Sequence, residues 1–153
     1  MVWPFSKKPR TLDLPPEGHH RWALAQTRGE GSNLLVRYNQ TAGDWAGHPE
    51  LPVKLGFAIP LNRPNRGGLP DPEENAELGA IEDLISREVF SATRGIHALT
   101  LTDGAMKELV FYVVPGTDVA KLHETIRSKV SSHDVQCMAV VEREWDSYRA
   151  LVP

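Results

Sequence analysis

Two alternating runs, IHALTLT and KELVFYV, flank the dipeptide Asp103-Gly104 within the stretch from Gly95 to Val114. Alternation sends every second side chain to one face of a strand. Asp-Gly between such runs predicts a tight hairpin, because both residues tolerate the positive φ that a two-residue turn requires. The hairpin lies between two amphipathic helical patterns, and this order constrains the fold more than any other feature of the chain.

The first helix starts at Asp71-Pro72-Glu73-Glu74, which offers an N-cap, a proline at the first helical position and acids at the positive end of the helix dipole. Leu78, Ile81, Leu84, Ile85 and Val89 follow at spacings of three and four, one apolar stripe that must lie on a sheet. Thr117 is expected to cap the second helix, with Val119, Leu122, Ile126 and Val130 as its stripe. Val53 to Leu61 precedes these elements as a strand and Val135 to Val141 follows them as another. Pro60 to Pro70, rich in Pro, Gly and Asn, reads as an exposed, mobile connection.

Strand, helix, strand, strand, helix, strand is the split βαβ order. The fold expected is therefore α+β: a ferredoxin-like antiparallel sheet with two helices on one face. Arg21–Thr27 and Asn33–Asn39, joined by Arg28-Gly29-Glu30-Gly31-Ser32, add an N-terminal β-hairpin. Leu55, Phe57, Ile59, Leu99, Leu101, Leu109, Phe111 and Val113 are expected to face the helices. Thr100, Thr102, Glu108, Val110 and Tyr112 are expected on the opposite face, partly covered by the N-terminal strands or by Glu144–Pro153.

With 153 residues the chain has the size of one domain, read here as a flexible N-terminal tail over 1–20 and a single domain over 21–153. The start lacks the apolar run of a secretory signal, and no apolar stretch approaches the ~20 residues of a membrane helix. Cys137 is the one cysteine, so no internal disulfide can form. A reducing cytoplasm is the expected location. A net charge of -3, spread along the chain, argues against nucleic acid as a partner. The basic Lys7, Lys8 and Arg10 belong to the tail.

Four segments resemble a known family: His48-Pro49-Glu50-Leu51, Gly68-Leu69-Pro70-Asp71-Pro72-Glu73-Glu74, the hairpin Gly104 to Val113 and Glu144-Trp145-Asp146-Ser147-Tyr148. Together, and in this order, they resemble the bacterial domain of unknown function 695 from about Arg21 onward. The hairpin departs from the family's common pattern at Lys107 and Val110-Phe111-Tyr112, and Arg143-Glu144 stands where Asp-Pro often precedes the closing Trp. The resemblance implies a ferredoxin-like fold, a distant similarity to the type B regulator of ribonuclease E activity, which binds protein, and no established reaction.

No catalytic residue and no metal ligand set emerges from the residues themselves. His19 and His20 are adjacent in the tail, while His48, His97, His123 and His133 fall in different elements without ligand spacing. His97 reads as a structural histidine at the core-facing edge of a strand, and His48, beside Pro49 in a loop, as the most accessible. No Gly-x-Ser-x-Gly elbow occurs, and the glycines fit neither the phosphate-loop nor the dinucleotide pattern, so no cofactor is expected.

The function expected is a non-catalytic regulatory or adaptor module that binds another protein through an exposed sheet edge or through the aromatic close. Trp145, Tyr148 and Leu151 have helical spacing, and Tyr112 is the one ring expected on the open sheet face. The bland alternative has Trp145 and Tyr148 folding back on their own sheet. A second reading is a small-molecule anion-binding protein or small enzyme that uses the 62–68 loop, with Arg63 and Arg66 as the clamp. Homo-oligomerisation through a free sheet edge stays open at this stage.

Overall fold

The computed structural model describes residues 11–29 and 32–153. In chain order its strands are β1 (Trp22–Gly29), β2 (Ser32–Asn39), β3 (Val53–Pro60), β4 (Gly95–Thr102), β5 (Met106–Val113) and β6 (Gln136–Val141). Its helices are α1 (Pro72–Ala92), α2 (Val119–Lys129) and α3 (Asp146–Leu151), with 3₁₀ turns at Glu17–His19 and Thr41–Trp45. The basic cluster of the tail and the centre of the β1–β2 turn lie outside the described residues.

The strands form one open sheet in the order β1-β2-β4-β5-β3-β6, each neighbouring pair antiparallel. Asp71 caps α1 by accepting from Glu74 N–H at 2.8 Å, and Pro72 occupies the first turn. The cap of α2 is Asp118, which accepts from Lys121 N–H at 3.1 Å. The expected cap Thr117 instead donates its hydroxyl to Thr93 Oγ1 at 2.7 Å, one residue outside the helix.

The central strands β4 and β5 are buried on both faces. On the first, the stripes of α1 and α2 pack on Leu55, Phe57, Ile59, Leu109, Phe111 and Val113. On the second, the 3₁₀ turn at Thr41–Trp45 and α3 cover β2, β4 and β5, burying Ala42, Trp45, Leu51, Trp145 and Tyr148. Leu12 is buried there too and Leu14 packs against it, so residues 12 and 14 of the expected tail belong to this layer.

Leu99 and Leu101 pack in this second layer, not under the helices. The register between β4 and β5 shifts between His97 and Leu99, so Ala98 is an extra residue and the faces exchange. Beyond such a bulge every side chain points opposite to what unbroken alternation gives. Thr100 and Thr102 are accordingly on the helix side, beside α1 residues Asn75, Gly79 and Glu82.

The Asp103-Gly104 turn spans three residues between β4 and β5. Asp103 accepts from Ala105 N–H at 2.7 Å and Met106 N–H at 2.9 Å, holding the turn with its side chain. Positive φ is not what requires Gly104, which is absent from the residues with that geometry. A Cβ there would lie 1.8 Å from the Asn65 carbonyl oxygen, so the glycine admits the 62–68 loop against the hairpin. That loop is exposed at its tip yet anchored: Leu61 N–H donates to Ala105 O and Asn65 N–H to Gly104 O. Among the described residues no helix is long and apolar enough to cross a membrane.

Candidate functional site

The three rings singled out in the sequence are core. Trp145 stacks on Tyr112 with centroids 4.0 Å apart and planes 7° from parallel, and Tyr148 stands edge-on to Trp145 at 5.6 Å. Their polar ends are spoken for within the chain. Trp145 Nε1–H donates to Leu51 O at 2.9 Å, Tyr148 OH to Asn39 O at 2.7 Å and Tyr112 OH to Glu142 Oε1 at 2.6 Å. Burial, then the Glu142 carboxylate, push the Tyr112 phenol well above its ordinary value. Trp145, Tyr148 and Tyr112 therefore close the second layer and do not present an interface; the bland alternative describes them.

Arg63 is committed as well. Its Nε donates to Asp71 Oδ2 at 2.9 Å and its Nη2 approaches Glu77 at 3.5 Å. The Arg63 hydrogen bond, with that from Glu74 N–H, holds the Asp71 carboxyl down at about 2. Arg66 is exposed beside Pro64, Gly67 and the hairpin turn. The two guanidiniums do not converge on a common clamp, because Arg63 faces the α1 entry and Arg66 the hairpin.

The histidines are structural in placement. His48 is buried, its Nδ1 accepting from Glu50 N–H at 3.0 Å, which corrects the expectation of an accessible ring. His97 is buried, stacks on Phe111 at 4.4 Å and is pushed down to about 4, chiefly by burial. His123 Nε2 lies 2.6 Å from Val135 O. His133, which has no ligand spacing to another histidine in the sequence, meets the fully buried Glu74 at 2.6 Å. Glu74 also accepts from the backbone N–H groups of Asn62 and Arg63 at 2.7 and 2.9 Å. Among the described residues no group of His, Cys, Asp and Glu is arranged to hold a metal.

What the described surface offers instead is the outer edge of β6, which pairs with no other strand among the described residues. Glu142 N–H donates to Pro52 O, so the antiparallel alternation turns the amides of Val140, Met138 and Gln136 toward β3 and those of Val141, Ala139 and Cys137 outward. The strand carries no charged residue and no proline, and its register with β3 is unbroken over six residues. Natural edges are blunted by those devices. Met138 is 52% exposed, Val140 40% and Val141 65%, three of the four large apolar side chains that stand out on the described surface.

Met138 and Val140 lie opposite Gly56 and Lys54, on the face that α3 covers only over β2, β4 and β5. Met138, with Gly56, Ala58, Met106 and Val110 and the charged Lys54 and Glu108, borders a hollow of about 300 Å³ beside the edge. Burial pushes the neighbouring Cys137 thiol up to about 11, so it is not a nucleophile at neutral pH.

A second concavity, of about 460 Å³, opens between α1 and the added hairpin. Glu82 accepts from Lys107 at 2.8 Å and from Arg37, whose Nη2 also lies 3.2 Å from Thr100 Oγ1. Burial alone would raise the Glu82 carboxyl, but Lys107 and Arg37 bring it below its ordinary value, so it stays ionised. Arg37 is further held over the Trp22 ring at 4.8 Å.

Compared with family models, residues 20–152 match the family of unknown function DUF695. The chain belongs to DUF695. Neither the curated proteins nor the solved structures yield a match. The DUF695 match spans the sheet and helices α1 to α3, so the β6 edge and the α1 cleft lie within the matched residues.

Proposed function

We propose that this DUF695 protein is a non-catalytic, cytoplasmic protein-binding module, regulatory or adaptor in type, that takes an extended segment of a partner onto the free edge of β6. The observation that carries the reading is the uncharged, proline-free edge strand on which Met138, Val140 and Val141 are exposed, with Met138 lining an open hollow. Strand addition draws affinity from the outward N–H and C=O groups of Cys137, Ala139 and Val141, and alternate side chains of the partner select for the hollow floored by Gly56 and Ala58. The partner segment it fits is extended and apolar at alternate positions.

We attach the ferredoxin-like description to the fold for a related reason. The order β4-β5-β3-β6 with α1 and α2 on one face matches the split βαβ arrangement, and β1–β2 extend it beyond β4. It is on that order that a likeness to the type B regulator of ribonuclease E activity, itself a protein binder, rests.

The test is a photocrosslinker, benzoylphenylalanine, placed at Met138 and activated in native extract. The expected result is a discrete adduct that disappears in an Ala139→Pro background. That proline removes an outward donor while leaving the ladder to β3 intact. An adduct of twice the chain mass would identify a second copy as the partner. No adduct, or one that survives Ala139→Pro unchanged, counts against strand addition.

A further inference from the structure

α1 keeps a glycine at its middle, Gly79, where glycine is unfavourable by about 1 kcal/mol relative to alanine. Nothing in the fold requires it. A Cβ at Gly79 meets no atom within 4 Å, and its φ is not in the left-handed region. What the missing side chain provides is depth, because Gly79 lines the cleft between α1 and the hairpin together with Leu35, Leu69, Arg37, Glu82 and Lys107.

The charge in the depth of that cleft is unbalanced. Arg37 and Lys107 stand against the Glu82 carboxylate alone, and His97 behind them is neutral at pH 7. Asp83 also lines the cleft but is exposed, where water screens it. Lys107 places one of its three N–H donors on Glu82, and Arg37 directs one arm of its fork to Glu82 and Thr100. Donors therefore remain on both cations. Both are pre-positioned, Lys107 by burial that leaves 10% of its side chain exposed and Arg37 by the Trp22 ring. Pre-positioned, partly desolvated donors bind an oxyanion at less cost than flexible surface lysines do.

We propose that the cleft is a binding site for a small organic oxyanion, a carboxylate or a phosphate ester, held by Arg37 and Lys107 with its body over Gly79 and against Leu35 and Leu69. This site is independent of the β6 edge, which lies at the other end of the sheet.

The experiment follows backbone amide shifts of the full chain during titration with succinate and with inorganic phosphate at constant ionic strength. Saturable shifts confined to Arg37, Gly79, Thr100 and Lys107 are expected with at least one probe, and which probe saturates tells carboxylate from phosphate. Gly79→Phe fills the cleft from a position with room for a side chain, so it folds and loses the saturable response. Glu82→Gln, by freeing the two cations, tightens binding several-fold. Non-saturable shifts with both probes, or saturable binding that persists in a folded Gly79→Phe protein, overturn the proposal.

Discussion

Replacing Trp145 by alanine distinguishes a core ring from an interface ring, and its cost can be worked from the contacts. The side chain is fully buried, and truncating a buried Trp costs about 3–5 kcal/mol through lost transfer energy and the cavity left behind. Removing Nε1–H also leaves the buried Leu51 carbonyl without its donor, about 1 kcal/mol more. The total, roughly 4–6 kcal/mol, is a large part of the stability of an ordinary domain. In urea, with a slope near 2 kcal/mol/M, it lowers the midpoint by about 2–3 M. Trp145→Phe keeps most of the stack on Tyr112 and shifts the midpoint by roughly 1 M or less.

The backbone supplies an internal control. Trp145 sits at φ 58°, ψ 45°, the left-handed region that costs a residue with a Cβ about 1 kcal/mol. Trp145→Gly should therefore be more stable than Trp145→Ala by about that amount, the reverse of the order inside a helix. Equilibrium unfolding followed by circular dichroism measures all three. A Trp145→Ala midpoint within 0.5 M of the parent, taken as about 1 kcal/mol, would refute the placement of the ring in the core.

Two further glycine substitutions have opposite signs. Gly79→Ala raises stability by about 0.5–1 kcal/mol, since its Cβ meets open space, whereas Gly104→Ala lowers it by roughly 2 kcal/mol or more as the 62–68 loop is pushed off the hairpin. Thermal melts of the two variants read both directions at once. Glu74→Gln costs about 2–4 kcal/mol, because His133 and the Asn62 and Arg63 amides lose a charged acceptor. Burial pushes the Glu74 carboxyl up, and its hydrogen bonds to His133, Asn62 and Arg63 outweigh that and leave it lowered. A carboxyl lowered on folding adds stability above its unfolded value, near pH 4.3, and loses it as pH falls through the native value. Acid titration of the parent should thus show a stability loss below about pH 4.3 that is smaller in Glu74→Gln.

Element order was legible because it rests on local chemistry: alternating runs, apolar stripes at three and four, and the Asp71-Pro72 helix entry. Three features were not, each for a physical reason. The Ala98 bulge adds a residue without changing composition, so Leu99 and Leu101 read as helix-facing although they pack in the second layer. Gly104 reads as a φ requirement because the sequence does not display the approach of Asn65, 39 residues earlier in the chain. The Glu74–His133 pair joins residues 59 apart, and only the return of the chain at β6 brings them together.

The candidate sites were less legible still. Trp145 and Tyr148 read as interface rings near a terminus and Tyr112 as the one ring on an open sheet face, yet burial of a sheet's second face uses the same residue types as an interface does. Arg37, Glu82 and Lys107 lie on three elements, and the one local clue to their cleft was a glycine in the middle of an otherwise strong helix. The charge-free run Gln136–Val141 did carry a signal, since an edge strand without lysine or proline is open to pairing.

The most direct test of the β6 edge is amide hydrogen exchange on the crosslink-defined complex, compared with the free protein. Strand addition predicts slowed exchange at Cys137, Ala139 and Val141, with the β3-paired amides of Met138 and Val140 changed far less. Slowed exchange confined to β1, α3 or the α1 cleft, with β6 unchanged, would contradict the account.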